Sequence, residues 1–181
     1  MTTSSVLSHA LLACALCAAP ALARAEVVIV PLRGFDEVPS ISSPARGLFR
    51  AFVNRHTGTI AYRLSYDNLQ GEVLQAHLHL GQRGVNGGVS VFLCQTAANP
   101  DPTGLAPTCP QSGSVSGQLQ SANVIGPNLQ GIAPGEFEEL LKAIRAGAVY
   151  VNVHSSTWPG GEIRGQTHGF GFFRHDGHDG H

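Results

Sequence analysis

The sequence predicts an all-β domain, an antiparallel β-sandwich or barrel with Greek-key-like connections and one short helix. Three observations lead there. Most apolar residues fall in short runs that alternate with polar ones, the period-2 pattern of half-buried strands. Gly, Pro and Asn break these runs at short intervals. A helical stripe of period 3.6 occurs once. Many strands, frequent turns and a single helix fit a sandwich or barrel, not a parallel sheet wrapped by helices.

The first 25 residues differ from the rest. "VLSHALLACALCAAPALARA" is rich in Ala and Leu and ends in two overlapping A-x-A patterns, Ala21-Leu22-Ala23 and Ala23-Arg24-Ala25. It reads as a signal peptide over residues 1–25, with cleavage expected after Ala25. The run falls short of the roughly 20 apolar residues of a membrane span, and no later segment is longer. The expectation is therefore a periplasmic or secreted protein with no membrane span after cleavage.

Residues 26–170 read as one domain. "EVVIVPL" (26–32) is the first strand, and "GLFRAFVNRHTGTIAYRLSYDNL" (47–69) is a hairpin. In it Phe49, Ala51, Val53, Ile60, Tyr62 and Leu64 form the inward set. "EVLQAHLHLG" (72–81) and "GGVSVFLC" (87–94) are two further strands, with the "NG" of Asn86-Gly87 read as a tight turn between them. "GSVSGQLQSANVI" (113–125) holds another. In "PGEFEELLKAIRAG", Phe137, Leu140, Leu141 and Ile144 lie at i, i+3, i+4 and i+7, which predicts a helix over about 135–146. Pro134 suits its first turn, acids crowd its positive end, Lys142 and Arg145 its negative end, and Gly147 stops it. "AVYVNVHS" (148–155) and "GEIRGQTHGF" (161–170) are the last two strands, joined through "TWPGG". Residues 171–181, "FFRHDGHDGH" with its neighbouring glycines, read as a His/Gly-rich flexible tail.

Without Arg24 the 11 basic side chains become 10 against 12 acidic, a net charge of −2. A composition like this indicates no basic face for a nucleic acid. Cys94 and Cys109 are the two cysteines left after cleavage. An even pair in an oxidising compartment reads most simply as a disulfide, the rival being a cysteine-containing metal site. No G-x-S-x-G, H-E-x-x-H, P-loop or dinucleotide fingerprint is present.

The chemistry concentrates in "AHLHLG" (76–81). On a strand His77 and His79 share one face and Leu78 and Leu80 the other, and two imidazoles at i and i+2 can converge on one ion. In "AVYVNVHSS", Tyr150, Asn152 and His154 share a face opposite Val151 and Val153, so His154 supplies a third donor if the two strands are neighbours. Three neutral imidazoles suit a transition metal, with copper ahead of zinc in intrinsic affinity. Metal affinity is then expected to fall as the pH drops through the ordinary histidine range near 6.5. The competing reading is of strand histidines hydrogen-bonded to backbone or to Glu162. His168, His175, His178 and His181 are candidate accessory ligands. Arg164 and Glu162 read as an anion guide or as a structural pair, and Tyr150 and Trp158 as packing residues near the rim.

Two stretches, "AHLHLGQRGVNGGVSVFL" and "LKAIRAGAVYVNVHSSTWPGGEIRGQ", together resemble the CHRD domain family from about Glu26 to Thr167. The most specific part is "YVNVHSSTWPGGEIRGQ". The resemblance implies the all-β fold. A second, local resemblance is to the copper-ligand pattern of copper–zinc superoxide dismutases, in which an H-x-H strand is followed by a V-x-V-H strand. It implies copper ligation by His77, His79 and His154 and an anion-guiding role for Arg164. The zinc loop of those enzymes has no counterpart here, since "GQRGVNG" holds neither His nor Asp. Three functions follow: a copper storage, buffering or resistance protein, favoured; a copper-only superoxide dismutase-like enzyme; and a metal-free module for a protein partner.

Overall fold

Eight antiparallel strands make up the fold in a computed structural model that describes residues 26–54 and 56–168. They are β1 (Glu26–Arg33), β2 (Arg46–Asn54), β3 (Thr59–Asp67), β4 (Val73–Leu80), β5 (Gly88–Cys94), β6 (Gly113–Leu119), β7 (Val149–Ser155) and β8 (Ile163–Gln166). Their order in the sheet is β5-β4-β7-β8-β1-β2-β3-β6. The two edge strands, β5 and β6, touch one another, so the sheet closes almost into a barrel. The connections β3–β4 and β6–β7 join strands that are not neighbours, which is the Greek-key feature.

The alternating pattern places the core. Val28, Val30, Leu32, Phe49, Ala51, Val53, Ile60, Tyr62 and Leu64 all point inward and are buried. The helix α1 (Phe137–Arg145) buries Phe137, Leu140, Leu141 and Ile144. Ile144 lines a small interior space with Val28, Val53 and Ile60, so the apolar stripe of the helix meets the barrel's own core. Gly147, at φ 68°, ends the helix as expected. Cys94 and Cys109 form a disulfide. The loop it closes is knotted by Asp101, whose carboxylate accepts from the backbone of Thr103, Leu105 and Ala106.

Several boundaries differ from expectation, each for a local reason. The helix begins at Phe137, not about 135, because Gly135 takes φ 86° and the Glu136 carboxylate accepts the Ala133 N–H. The strand expected over 113–125 stops at Leu119, where a 3-10 turn at Ser121–Asn123 takes over. The last strand is four residues long, since Gly161 at φ 131° still belongs to the preceding turn. Asn86 and Gly87 are not a tight turn. The turn lies at Gln82–Val85, where Gly84 adopts φ 77° and Val85 N–H donates to Gln82 O. The connection is thus a seven-residue loop, Gly81–Gly87, that returns across the barrel's exterior.

The exterior has two unlike faces. Over β4, β7 and β8 it is covered by the Gly81–Gly87 loop, by residues 34–42 and by the 156–161 turn, with Asn86 Nδ2 donating to Val38 O between two of these covers. Over β1, β2, β3 and β6 it is exposed and carries Arg33, Arg46, Arg50 and Arg63. The composition hid this basic face because acidic residues such as Glu136, Glu138 and Glu139 at the start of α1 lie elsewhere, although Asp67 shares the face opposite Arg46.

Candidate metal centre

The antiparallel pairing of β4 and β7 sets Gln75 opposite His154, His77 opposite Asn152 and His79 opposite Tyr150. All these side chains leave the outer surface while Leu78, Val151 and Val153 fill the core. The three histidines are 2%, 7% and 5% exposed for His77, His79 and His154, because the covering loops lie over them. Among the described residues they form a group of potential ligands whose donor atoms all lie within 4.8 Å of one another. His168 is outside this group, exposed beside Arg83 at 3.4 Å. His175, His178 and His181, with residues 1–25 and the rest of the tail, lie outside the described residues.

Backbone carbonyls fix two of the rings. His79 Nδ1 lies 3.0 Å from Gly87 O, and His154 Nδ1 lies 2.9 Å from Pro159 O. A carbonyl only accepts, so both Nδ1 atoms carry the proton and both Nε2 atoms present a lone pair. His154 Nε2 sits 3.2 Å from His77 Nδ1, which donates to it. His77 Nε2 and His79 Nε2 are buried with no hydrogen-bond partner. Orphaned buried acceptors are rare in folded proteins. The hydrogen bonds to backbone that the competing sequence reading required are present, yet they leave His77 Nε2 and His79 Nε2 without a partner.

An ion about 2.0–2.1 Å from each nitrogen would hold the nitrogens about 3.3–3.6 Å apart for tetrahedral to trigonal angles. The 3.2 Å between His77 Nδ1 and His154 Nε2 is a hydrogen bond, which ligation through these two nitrogens would replace. The donor atoms lie within 4.8 Å of one another, so closing the set around one ion asks for shifts on the order of an ångström.

Burial decides the protonation. It pushes His77 down to about 2 and His79 down to about 4, with the neighbouring imidazoles adding to the effect, and it lowers His154 as well. This direction moves proton competition below the ordinary histidine range near 6.5. Burial thus favours the neutral, ligating form of the three imidazoles.

The surrounding shell was only partly visible beforehand. Tyr150, read as a rim residue, is 2% exposed and central. Its ring stacks on His79 at 4.7 Å and 4°, and the Arg164 guanidinium covers its other face at 3.4 Å. Arg164 donates to Val85 O at 2.8 Å, Asn86 Oδ1 at 3.1 Å and Gln82 O at 3.3 Å, so it clamps the covering loop. Glu162 instead accepts from Ser43, Ser155 and the Gln70 N–H. The two do not serve each other as a pair: Glu162 lies just before β8 and Arg164 within it, and different segments cover them. Glu37, unnoticed in the sequence, is 6% exposed beside Asn152. Burial lifts its carboxyl to about 7 against the opposing pull of Arg164 and the Asn152 amide.

The family model of the CHRD domain matches residues 28–167. No curated protein and no solved structure matches the chain.

Proposed function

This chain belongs to the CHRD domain family, and from that premise we propose that it holds a transition metal ion, copper ahead of zinc, through His77, His79 and His154. The role is storage, buffering or resistance in a periplasmic or secreted protein exported by its first 25 residues. One observation carries the reading: three buried imidazoles, two of them held by backbone carbonyls through Nδ1, offer donor nitrogens that all lie within 4.8 Å of one another. Such outer hydrogen bonds orient ligating histidines and fix their tautomers. Nitrogen donors without carboxylates suit copper or zinc and not magnesium or calcium, and copper binds such sets more tightly. The Cys94–Cys109 disulfide fits an oxidising compartment.

The geometry favours holding an ion over turning over a substrate. Arg164 directs its donors at the covering loop, where an anion guide would keep them free. The histidines themselves are nearly closed off from solvent.

The test is a copper titration of the mature protein, purified without a histidine-affinity step, with His175, His178 and His181 replaced by Asn to remove weak sites. One tight site is expected. His77→Ala, His79→Ala and His154→Ala each weaken it by orders of magnitude, while His168→Ala leaves it unchanged. Equal affinity across all these proteins would end the metal reading.

A further inference from the structure

The exposed face over β1, β2, β3 and β6 bears arginines in an arrangement that folding alone does not favour. The register sets Arg33 opposite Arg46 and Arg50 opposite Arg63. Like charges directly opposed across a sheet destabilise it. The other cations of the described residues are matched. Arg83 meets Asp36 at 3.8 Å, Lys142 meets Glu139 at 2.6 Å, Arg145 meets Glu26 at 3.0 Å, and Arg164 is committed to the covering loop. On the exposed face Arg46 stands opposite Asp67 in the register but donates to the carbonyls of Ser43 and Ala45, and Arg63 donates to Ser114 Oγ. In a chain of formal net charge −1, an excess of arginine over the single carboxylate of Asp67 is thus gathered on the strands of this surface.

The same surface carries apolar side chains in the open. Ile29 is 48% exposed and lies opposite Arg50, and Phe52, 45% exposed, follows Arg50 two residues along β2 on the same face. Between the strands a shallow depression is bordered by Arg46, Leu48, Arg63, Ser65, Asp67 and Ser114. Strand spacings of about 4.8 Å and i, i+2 spacings of about 6.7 Å put these side chains on one gently curved sheet, able to meet a broad partner together.

We propose that this face docks on the surface of an anionic lipid bilayer. Guanidinium groups pair with headgroup phosphates. Ile29 and Phe52 gain from the apolar boundary beneath the headgroups, which a soluble polyanion does not offer. The inference is independent of the metal site, which lies on the other exterior face.

The test is co-sedimentation of the mature protein with vesicles of phosphatidylcholine alone or with about one-quarter phosphatidylglycerol, a surface charged enough to attract basic residues. Binding is expected only to the charged vesicles and is lost near 1 M salt, where the screening length falls to about 3 Å. Each arginine near the surface is worth about fivefold in partitioning, so Arg50→Gln with Arg63→Gln lowers it about thirtyfold. Phe52→Ser lowers it in a way that salt does not mimic. Lys142→Gln, which changes net charge equally but lies on the helix, leaves it unaltered. A thermal melt confirms that the double variant is folded, its transition at or above that of the parent. Absence of binding to charged vesicles overturns the proposal, as does retention on a soluble polyanion such as heparin without vesicle binding. An equal loss in Lys142→Gln would assign the effect to net charge and would overturn it too.

Discussion

Arg164 and Arg63 are the same residue type, both on the outside of one barrel, and their circumstances are opposite. Arg164 is 1% exposed, lies on the Tyr150 ring and holds three oxygen acceptors of the covering loop. Arg63 is exposed, faces Arg50 and makes one hydrogen bond to a serine hydroxyl. The strand pattern is alike in the two places, with apolar residues inward and polar ones outward. What differs is whether a loop returns over the strand. Where Gly81–Gly87 and its neighbours cover the sheet, outward residues become a second, polar interior in which every hydrogen bond counts. Where nothing returns, they remain a surface open to partners.

The largest test of that contrast substitutes the two arginines alike. Arg164→Met leaves the carbonyls of Gln82 and Val85 and the Asn86 side chain without their donor, and a loss of about 3–5 kcal/mol is expected. Arg63→Met should stay within about 0.5 kcal/mol, as surface changes do. Urea denaturation of both variants checks this. Comparable small losses would mean that the covered face is no interior at all.

The covered face should also respond to acid in a way the open face cannot. His77 and His79 have folded values of about 2 and about 4, against 6.5 unfolded, and His154 is lowered too. Below 6.5 the unfolded chain therefore binds more protons than the folded one. Stability is fully present above that pH and is lost as the pH falls, by up to about 1.4 kcal/mol per pH unit for each imidazole. Glu37 works the other way. Its folded value of about 7 exceeds the ordinary 4.5, so between these values the folded protein holds the extra proton and this group resists the acid loss. Glu37→Gln should consequently steepen the decline below pH 6.5. Unfolding free energies of the metal-free protein from pH 7.5 to 5 measure both effects, and a flat profile would show the imidazoles to be solvated.

These contrasts also show what the sequence discloses. Alternation in "LFRAFV" and "TIAYRL" locates the inner face because burial on one side of a strand has period two. The same rule brings His77 and His79 together and orients His154, and only the neighbouring of β4 and β7 had to be supplied by the fold. Glu37 and the Gly87 carbonyl were illegible for another reason. The Gly87 carbonyl meets His79, and Glu37 meets Asn152 and Arg164, through loops that carry no periodic pattern, one of them turned by Gly84 at φ 77°. The basic face escaped because composition sums charges, whereas the register sorts them in space. Tyr150 was placed on the correct face but assigned to the rim, since its depth is set by the loop above it.

That loop provides a smaller test. Gly87 N–H donates to the Tyr150 hydroxyl at 3.1 Å. Tyr150→Phe keeps the stack on His79 and removes this acceptor, and a loss of about 1 kcal/mol is expected. Hydrogen exchange of the Gly87 amide should quicken with it. An unchanged exchange rate would mean that the hydroxyl does not hold the loop.

The smallest expected effect has the opposite sign. Arg50 and Arg63 are directly paired across β2 and β3. Reversing one charge replaces repulsion by attraction, worth roughly 0.2–1 kcal/mol across a strand pair. Arg63→Glu should therefore raise stability by a few tenths of a kcal/mol, even after losing the exposed hydrogen bond to Ser114. Arg50→Glu should do the same, and the two together should return to about the parent value, because two carboxylates then face each other. High salt should flatten all three differences, as it does for exposed charges. A cycle with no coupling would indicate that the two guanidiniums avoid each other by rotamer choice. Coupling of the expected sign would show that this chain keeps an unfavourable pair on its open face, while every cation on its covered face is satisfied.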